Sequence, residues 1–372
     1  MPACLLIADD LTGACDAAVH FAMRGHRTLV SLDPRFDAPG AGALALSTES
    51  RSLCPQELRA VFAGLGGAGR GAHRFCGSIS WPALLFKKID STLRGSVGAE
   101  IAMAAEAFAC ESALITPAFP AMGRTVESGV LRVSDAAFHS IELATYWSAQ
   151  GLCGCAHVPP GGVEAALAAG TRFISVDAST DRDLDAIAAA GLASARRILW
   201  AGSAGLASAL ARAVGPGPHT EAGPAVRHAA ALFCIGSDHP VTIEQQRQFA
   251  AARPVAALDA EMAEPDGIAQ AFHDGMHVAL QVPYGRIAPE RVRRLIGDWR
   301  GPLVLSGGAT ASLVCRALGV REILLDREIA PGIPRGAISG GLFDGMPIVT
   351  KSGGFGKPGA LIQIADDLTC PT

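Results

Sequence analysis

Two short stretches of this 372-residue chain concentrate the groups that handle anions. Lys87-Lys88-Ile89-Asp90-Ser91-Thr92-Leu93-Arg94-Gly95 places two ammonium groups, a carboxylate, two hydroxyls and a guanidinium in nine consecutive residues. The second, Lys351-Ser352-Gly353-Gly354-Phe355-Gly356-Lys357, sets glycines between two further lysines. These four are the only lysines among 31 basic residues, so arginine carries positive charge almost everywhere else. A lysine that persists under such a bias suits a site needing a compact ammonium rather than a planar guanidinium. In an extended strand neighbouring side chains point to opposite faces, so Lys87 and Lys88 both line one cleft only where the strand is ending.

Asp9 and Asp10 follow the apolar run CLLIA. One aspartate at a helix start accepts backbone N–H bonds and suits the positive end of the helix dipole. The second then remains available for a ligand. Arg51, after the run ALALS, can meet a carboxylate with two parallel bonds. The C-terminal part adds Gly236-Ser237 and Ser306-Gly307-Gly308-Ala309-Thr310 to the turn at Gly353, Gly354, Phe355 and Gly356. Glycine lets backbone N–H groups come close to phosphate, and three such turns within about 150 residues favour a phosphate-binding surface.

The elements that must position these residues follow from the spacing of apolar runs. CLLIA, ALALS (43–47), LLFKKI (84–89) and ALIT (113–116) each end in a polar cluster and alternate with amphipathic segments. That is the pattern of a parallel sheet covered by helices. A second series, ALFCI (231–235), HVALQV (277–282) and PLVLS (302–306), follows the breaker-rich stretch from Gly215 to Pro224. The boundary is placed near residue 220, giving a substrate domain over 1–220 and a nucleotide domain over 221–372. In open α/β sheets ligands bind beyond the carboxyl ends of strands, so the polar clusters should line one cleft.

Several classes are disfavoured. A formal net charge of −4 offers no general attraction to nucleic acid or anionic membrane. Mean hydropathy is +0.30, yet no apolar run reaches the roughly 18 residues of a membrane span. The N-terminus lacks a basic start and reaches acidic residues early, so the ten cysteines read as reduced thiols of a cytoplasmic protein. Gly64-Leu-Gly-Gly-Ala-Gly69 matches G-x-G-x-x-G but follows a helical stretch, the wrong context for a dinucleotide fingerprint. IADDLT at 364–369 repeats 7–12 by coincidence, inside a C-terminal helix expected after Pro358.

The motifs IADDLTGA, STESR, KKIDSTLRGSVGAE and TPAFPAMGRTV, then GSDHPVTIEQ, SGGATA and KSGGFG, resemble the four-carbon acid sugar kinases over nearly the whole chain. The resemblance implies two Rossmann-like three-layer α/β domains with mainly parallel sheets and an active-site cleft between them. It implies ATP-dependent phosphorylation of threonate, erythronate or 3-oxo-tetronate, with Mg²⁺ on the phosphates. Substrate contacts fall on Asp9, Arg51, Lys87, Lys88, Ile89, Asp90 and Ser91, and the proton acceptor is Asp10 or Asp90. Nucleotide contacts fall on Ser237, Gly307, Gly308, Ala309, Thr310, Lys351, Gly353, Gly354, Phe355 and Gly356. Lys351 is expected to neutralise phosphate charge and Lys357 to lie outside; no metal ligand is assigned. Ala309, Ser47 and Ser96 stand where the family often has an acidic residue, aspartate and asparagine. The expected partners are small molecules, without nucleic acid or membrane, and homo-oligomerisation is left open. The rival activities are an NAD-dependent hydroxy-acid dehydrogenase and a non-catalytic sugar-acid or nucleotide sensor.

Overall fold

The computed structural model describes residues 4–33, 40–66, 84–134, 138–218, 228–283 and 285–369. The N-terminal half supplies β1 (Cys4–Ala8), β2 (Thr28–Ser31), β3 (Ala43–Ser47), β4 (Leu84–Lys88) and β5 (Ser112–Thr116). A small antiparallel sheet of β6 (Arg124–Glu127), β7 (Val130–Val133) and β8 (Ile141–Glu142) precedes β9 (Ala156–Val158), β10 (Phe173–Val176) and β11 (Ile198–Gly202). The C-terminal half supplies β12 (Leu232–Ile235), β13 (Val255–Asp259), β14 (His277–Gln281) and β15 (Leu303–Ser306). The hairpin β16 (Glu322–Ala330) and β17 (Ile333–Ser339) and the strand β18 (Pro347–Lys351) complete it.

β1, β3, β4 and β5 are buried at every position. Helices cover a parallel sheet on both faces, so its strands appear in the sequence as short continuous apolar runs. The α/β class with mainly parallel pairing is therefore what the chain adopts. Among the described residues no helix is long and apolar enough to cross a membrane. The eight described cysteines are unpaired thiols.

Fifteen strands form one sheet in the order β13-β14-β12-β15-β18-β17-β16-β2-β3-β1-β4-β11-β5-β10-β9. Two parallel groups meet at the hairpin, where β16 pairs antiparallel with β2 and β17 antiparallel with β18. Five pairing steps separate β1 from β18. At roughly 20–25° of twist per step, the strands turn through roughly 100–125° between them. Irregularities in β16 at Leu325/Arg327 and Glu328/Ala330 add to that rotation. The helix Leu11–Ala22 packs on β1, β2 and β3 and also on β16, β17 and β18. The carboxyl end of β18 thereby reaches the start of this helix, where Ser352 Oγ donates to Thr12 Oγ1 at 3.2 Å.

The boundary near residue 220 lies outside the described residues, as do the last three residues of the Gly64–Gly69 motif. Its first three residues close the helix Pro55–Gly66 and form no strand-to-helix turn. The second IADDLT copy lies mainly in the helix Ala360–Leu368, where Asp366 and Asp367 pair with Arg253 and Arg327.

Candidate active site

Asp10 stands at the junction of β1 with its helix and caps that helix. Its Oδ1 accepts from the Gly13 amide at 2.6 Å and from Thr12 Oγ1 at 3.2 Å. Asp9, one residue earlier, accepts two bonds from Arg51, Nε to Oδ2 at 2.7 Å and Nη2 to Oδ1 at 3.1 Å. Arg51 also places Nη1 2.7 Å from Asp10 Oδ2 and Nη2 3.8 Å from Asp90 Oδ2. The bidentate contact expected between Arg51 and a ligand is thus made inside the protein. β3 lies beside β1, so the guanidinium leaving the end of one strand meets the carboxylates leaving the end of the other.

The carboxylates differ in their hold on a proton. Burial raises the proton affinity of all three, but at Asp9 it is outweighed by Lys87, Arg51 and Lys88, and the pKa falls. At Asp90 burial is outweighed by Arg94, whose Nη2 lies 2.5 Å from Oδ2, and then by Arg51 and Thr92, so its pKa is also lowered. At Asp10 burial prevails over Arg51 and is reinforced by the charge of Asp9, so its pKa is raised. Asp10 is the carboxylate of this cluster best suited to take up a proton.

The two lysines of β4 diverge, as strand alternation requires. Lys87 is fully buried, with Nζ 2.7 Å from Glu100 Oε2 and donating to the Lys88 carbonyl at 2.8 Å. Glu100 belongs to the helix Val97–Ala107 and also accepts from Ser50 Oγ at 2.5 Å. The Lys87 charge is therefore already paired, which a strand end closed in by helices demands. Lys88 faces the first helix instead: Nζ donates to the Ile89 carbonyl at 3.0 Å and lies 3.8 Å from Asp16 Oδ2. Ile89 and Ser91 are buried in the turn that follows. Leu93 and Gly95 have left-handed backbones there, and Tyr146 Oη fastens the turn by donating to the Leu93 carbonyl at 2.9 Å.

The glycine turns of the C-terminal half converge. A Cβ at Gly353 would lie 2.1 Å from Ser237 Oγ, and one at Gly236 would lie 1.9 Å from Thr310 Oγ1. Gly307, at φ +105°, precedes the helix Gly308–Leu318, whose first turn holds exposed Ala309 and buried Thr310. A Cβ at Gly308 would lie 2.6 Å from Asp10 Oδ2, so the start of this helix is pressed against the raised carboxylate. Phe355 packs edge-on against Phe119 of the N-terminal half, under the Arg124 guanidinium. Gly356, at φ +87°, ends the turn, and Lys357 is exposed. The Lys351 ammonium points into protein carbonyls: those of Ser352 and Gly353 at 3.1 Å and of Phe355 at 3.3 Å.

Sequence reasoning missed Glu49, Glu100, Asp16, Thr242, Gln245 and Ser312. Thr242 and Gln245 had a usable signal, since they stand three positions apart in GSDHPVTIEQ, on one helix face, and both bond the Lys351 turn. The others are single polar residues whose partners lie on distant elements.

A carboxylate of raised proton affinity set against a helix start and glycine-bearing turns is an arrangement that suits a phosphotransferase. Residues 4–147 and 149–210 match the model of a sugar-binding N-terminal domain, and 284–361 that of a nucleotide-binding C-terminal domain. A D-threonate kinase of Bordetella bronchiseptica is 34% identical over 97% of this chain and 96% of its own length. A D-threonate kinase of Cupriavidus necator is 31% identical over 96% of each. A crystal structure from Salmonella typhimurium superposes with a TM-score of 0.73 at 22% identity, covering 98% of this chain and 99% of that one. The chain belongs to the four-carbon acid sugar kinase family.

Proposed function

We propose that this kinase transfers the γ-phosphoryl group of ATP to a hydroxyl of a threonate-type four-carbon acid, with Asp10 as the general base. The observation that carries this reading is the contact of the Gly308 helix start with Asp10. That contact supports the reading because helix-start amides suit phosphate, and Asp10 beside them is the carboxylate whose pKa burial raises. Resemblance to two D-threonate kinases at 31–34% identity supports the acid's class.

The acid lies against Asp9, Arg51, Lys88 and the Asp90–Ser91 turn, with Lys88, 3.8 Å from Asp16, supplying positive charge for its carboxylate and Arg51 holding Asp9 and Asp10 in place beside it. Lys87 supports the strand end through Glu100. As the acceptor oxygen forms its bond to the γ-phosphorus, its proton passes to Asp10, and the bond from phosphorus to the β–γ bridging oxygen breaks to release ADP. Charge on the transferring group is met by the N-terminus of the Gly308 helix and by the turn amides. Among the described residues no group of three or more His, Cys, Asp or Glu could hold a metal by itself. Mg²⁺ would be held chiefly by the nucleotide phosphates and water, with one or two protein oxygens, and would neutralise phosphate charge when bound.

The test is ADP release with a panel of four-carbon acids, using wild type and Asp10→Asn. The expected result is stimulation by D-threonate. Asp10→Asn should lose roughly 10²–10⁴-fold in kcat while retaining nucleotide binding. ATP turnover unaffected by any four-carbon acid, in folded protein that binds ATP, would overturn the assignment.

A further inference from the structure

Lys351 is fully buried at the end of β18, and its ammonium has no carboxylate partner among the described residues. Its neighbours are all neutral oxygens: the Ser352, Gly353 and Phe355 carbonyls at 3.1–3.3 Å, with Thr242 Oγ1 at 3.5 Å. The rest of the turn is held the same way. Thr242 Oγ1 donates to the Gly353 carbonyl at 2.7 Å, and Gln245 Nε2 donates to the Phe355, Gly356 and Lys357 carbonyls at 3.0–3.1 Å. Every carbonyl from 352 to 357 except that of Gly354 is therefore drawn inward. The amides of Gly353 and Gly354 have no acceptor among the described residues. Successive amides turned outward form an anion-binding concavity.

We infer that Lys351 acts as a tethered monovalent cation: its ammonium fills a carbonyl cage and holds the turn with its amides toward the nucleotide. It is a positioning residue, and the phosphates meet the amides in front of the cage. Three carbonyls and a hydroxyl around one charge resemble the way backbone oxygens replace the hydration shell of K⁺. An ammonium supplies three donors for three carbonyls, whereas a planar guanidinium cannot close onto a compact cage. Burial lowers the Lys351 pKa to about 7, so the cage carries its full charge below that pH. There the charge, buried away from water, also strengthens the field at the amides, and binding is to be measured at about pH 6.

This inference rests on the reading that the Gly353–Gly356 turn holds the nucleotide, and the experiment separates the two. ADP and D-threonate binding would be measured by calorimetry for wild type, Lys351→Ala and Lys351→Arg. Each would be run in choline, Li⁺, Na⁺, K⁺ and NH₄⁺ chloride at equal ionic strength, with circular dichroism to confirm folding. Wild type should bind ADP equally in all five salts. Lys351→Ala should lose at least tenfold in ADP affinity in choline or Li⁺ and recover most of it in K⁺ or NH₄⁺. Lys351→Arg should remain weak throughout, and D-threonate affinity should stay unchanged. Failure of wild type to bind ADP would defeat the nucleotide reading itself. Unchanged ADP affinity in Lys351→Ala, a loss that no cation restores, or rescue by Li⁺ and Na⁺ as strong as by K⁺ would each overturn the cage. If Lys351→Ala does not fold, Thr242→Val removes one cage oxygen and one carbonyl donor. Its ADP affinity should then fall at least threefold, and an unchanged value refutes the inference.

Discussion

Asp16 carries a cost that the surrounding residues only partly offset. It is buried, its Oδ1 has no hydrogen-bond partner among the described residues, and Lys88 is 3.8 Å from its other oxygen while bonded to the Ile89 carbonyl. Burial, opposed by Lys88 and aided by Asp10, pushes its pKa up to about 6. Between its ordinary value near 3.8 and about 6, the folded protein keeps a proton that the unfolded chain has released. Stability therefore falls as pH rises through that window, and above it the penalty is complete, at about 2–3 kcal/mol. Asp16→Asn keeps the shape and removes the charge, so it should unfold later than wild type at pH 8, with the difference shrinking by pH 5. Urea denaturation at both pH values checks this, and an Asn variant less stable at pH 8 would show that Lys88 compensates more than its distance implies.

The helix Gly308–Leu318 belongs to the C-terminal half and starts against Asp10 and Thr12 of the N-terminal half. A Cβ at position 308 would press on Asp10 at 2.6 Å from Oδ2 and 3.1 Å from Cγ, and on Thr12 Oγ1 at 3.3 Å. Asp10 cannot move aside easily, because the Gly13 amide and Arg51 hold it. Gly308→Ala should favour the helix locally yet drive it away from the base. A displacement near 1 Å lowers kcat by ~10²-fold, while ADP binding should change little. Steady-state kinetics beside ADP calorimetry test this, and a variant with wild-type kcat would remove the helix start from the reaction. The strands that carry the site were legible, since β1, β3, β4, β14 and β15 are buried on both faces and appear as apolar runs. The β16–β17 hairpin was not. Its residues are mostly half-buried and include Asp326, Arg327, Glu328 and Arg335, and its partner β2 lies nearly 300 residues earlier. Local periodicity cannot report a pairing across that separation. The same limit hid Glu100, whose role exists only because Lys87 reaches it from another element.

At the scale of the whole molecule, phosphoryl transfer requires that water be kept from the γ-phosphate until the sugar acid is in place. The halves meet around the site at Asp10 and Gly308, at Thr12 and Ser352, and at Phe119 and Phe355. A fourth contact has the chemistry of a latch. Glu49, held at φ 50°, accepts Ser47 Oγ from its own half at 2.5 Å and Ser312 Oγ from the opposite half at 2.5 Å. Burial raises its pKa, and the two hydroxyls oppose that rise by stabilising the ionised form. Ser312→Ala would leave a half-buried carboxylate with one donor fewer, at a cost of about 1–2 kcal/mol to the closed arrangement. Because only the ionised form needs those donors, the effect should grow as pH rises from 5 to 8. The predicted phenotype is a higher KM for the sugar acid and more ADP released per sugar acid phosphorylated, both larger at pH 8. Tight coupling in Ser312→Ala at pH 8 would mean that the other three contacts close the cleft unaided, leaving Glu49 to order the end of β3 alone.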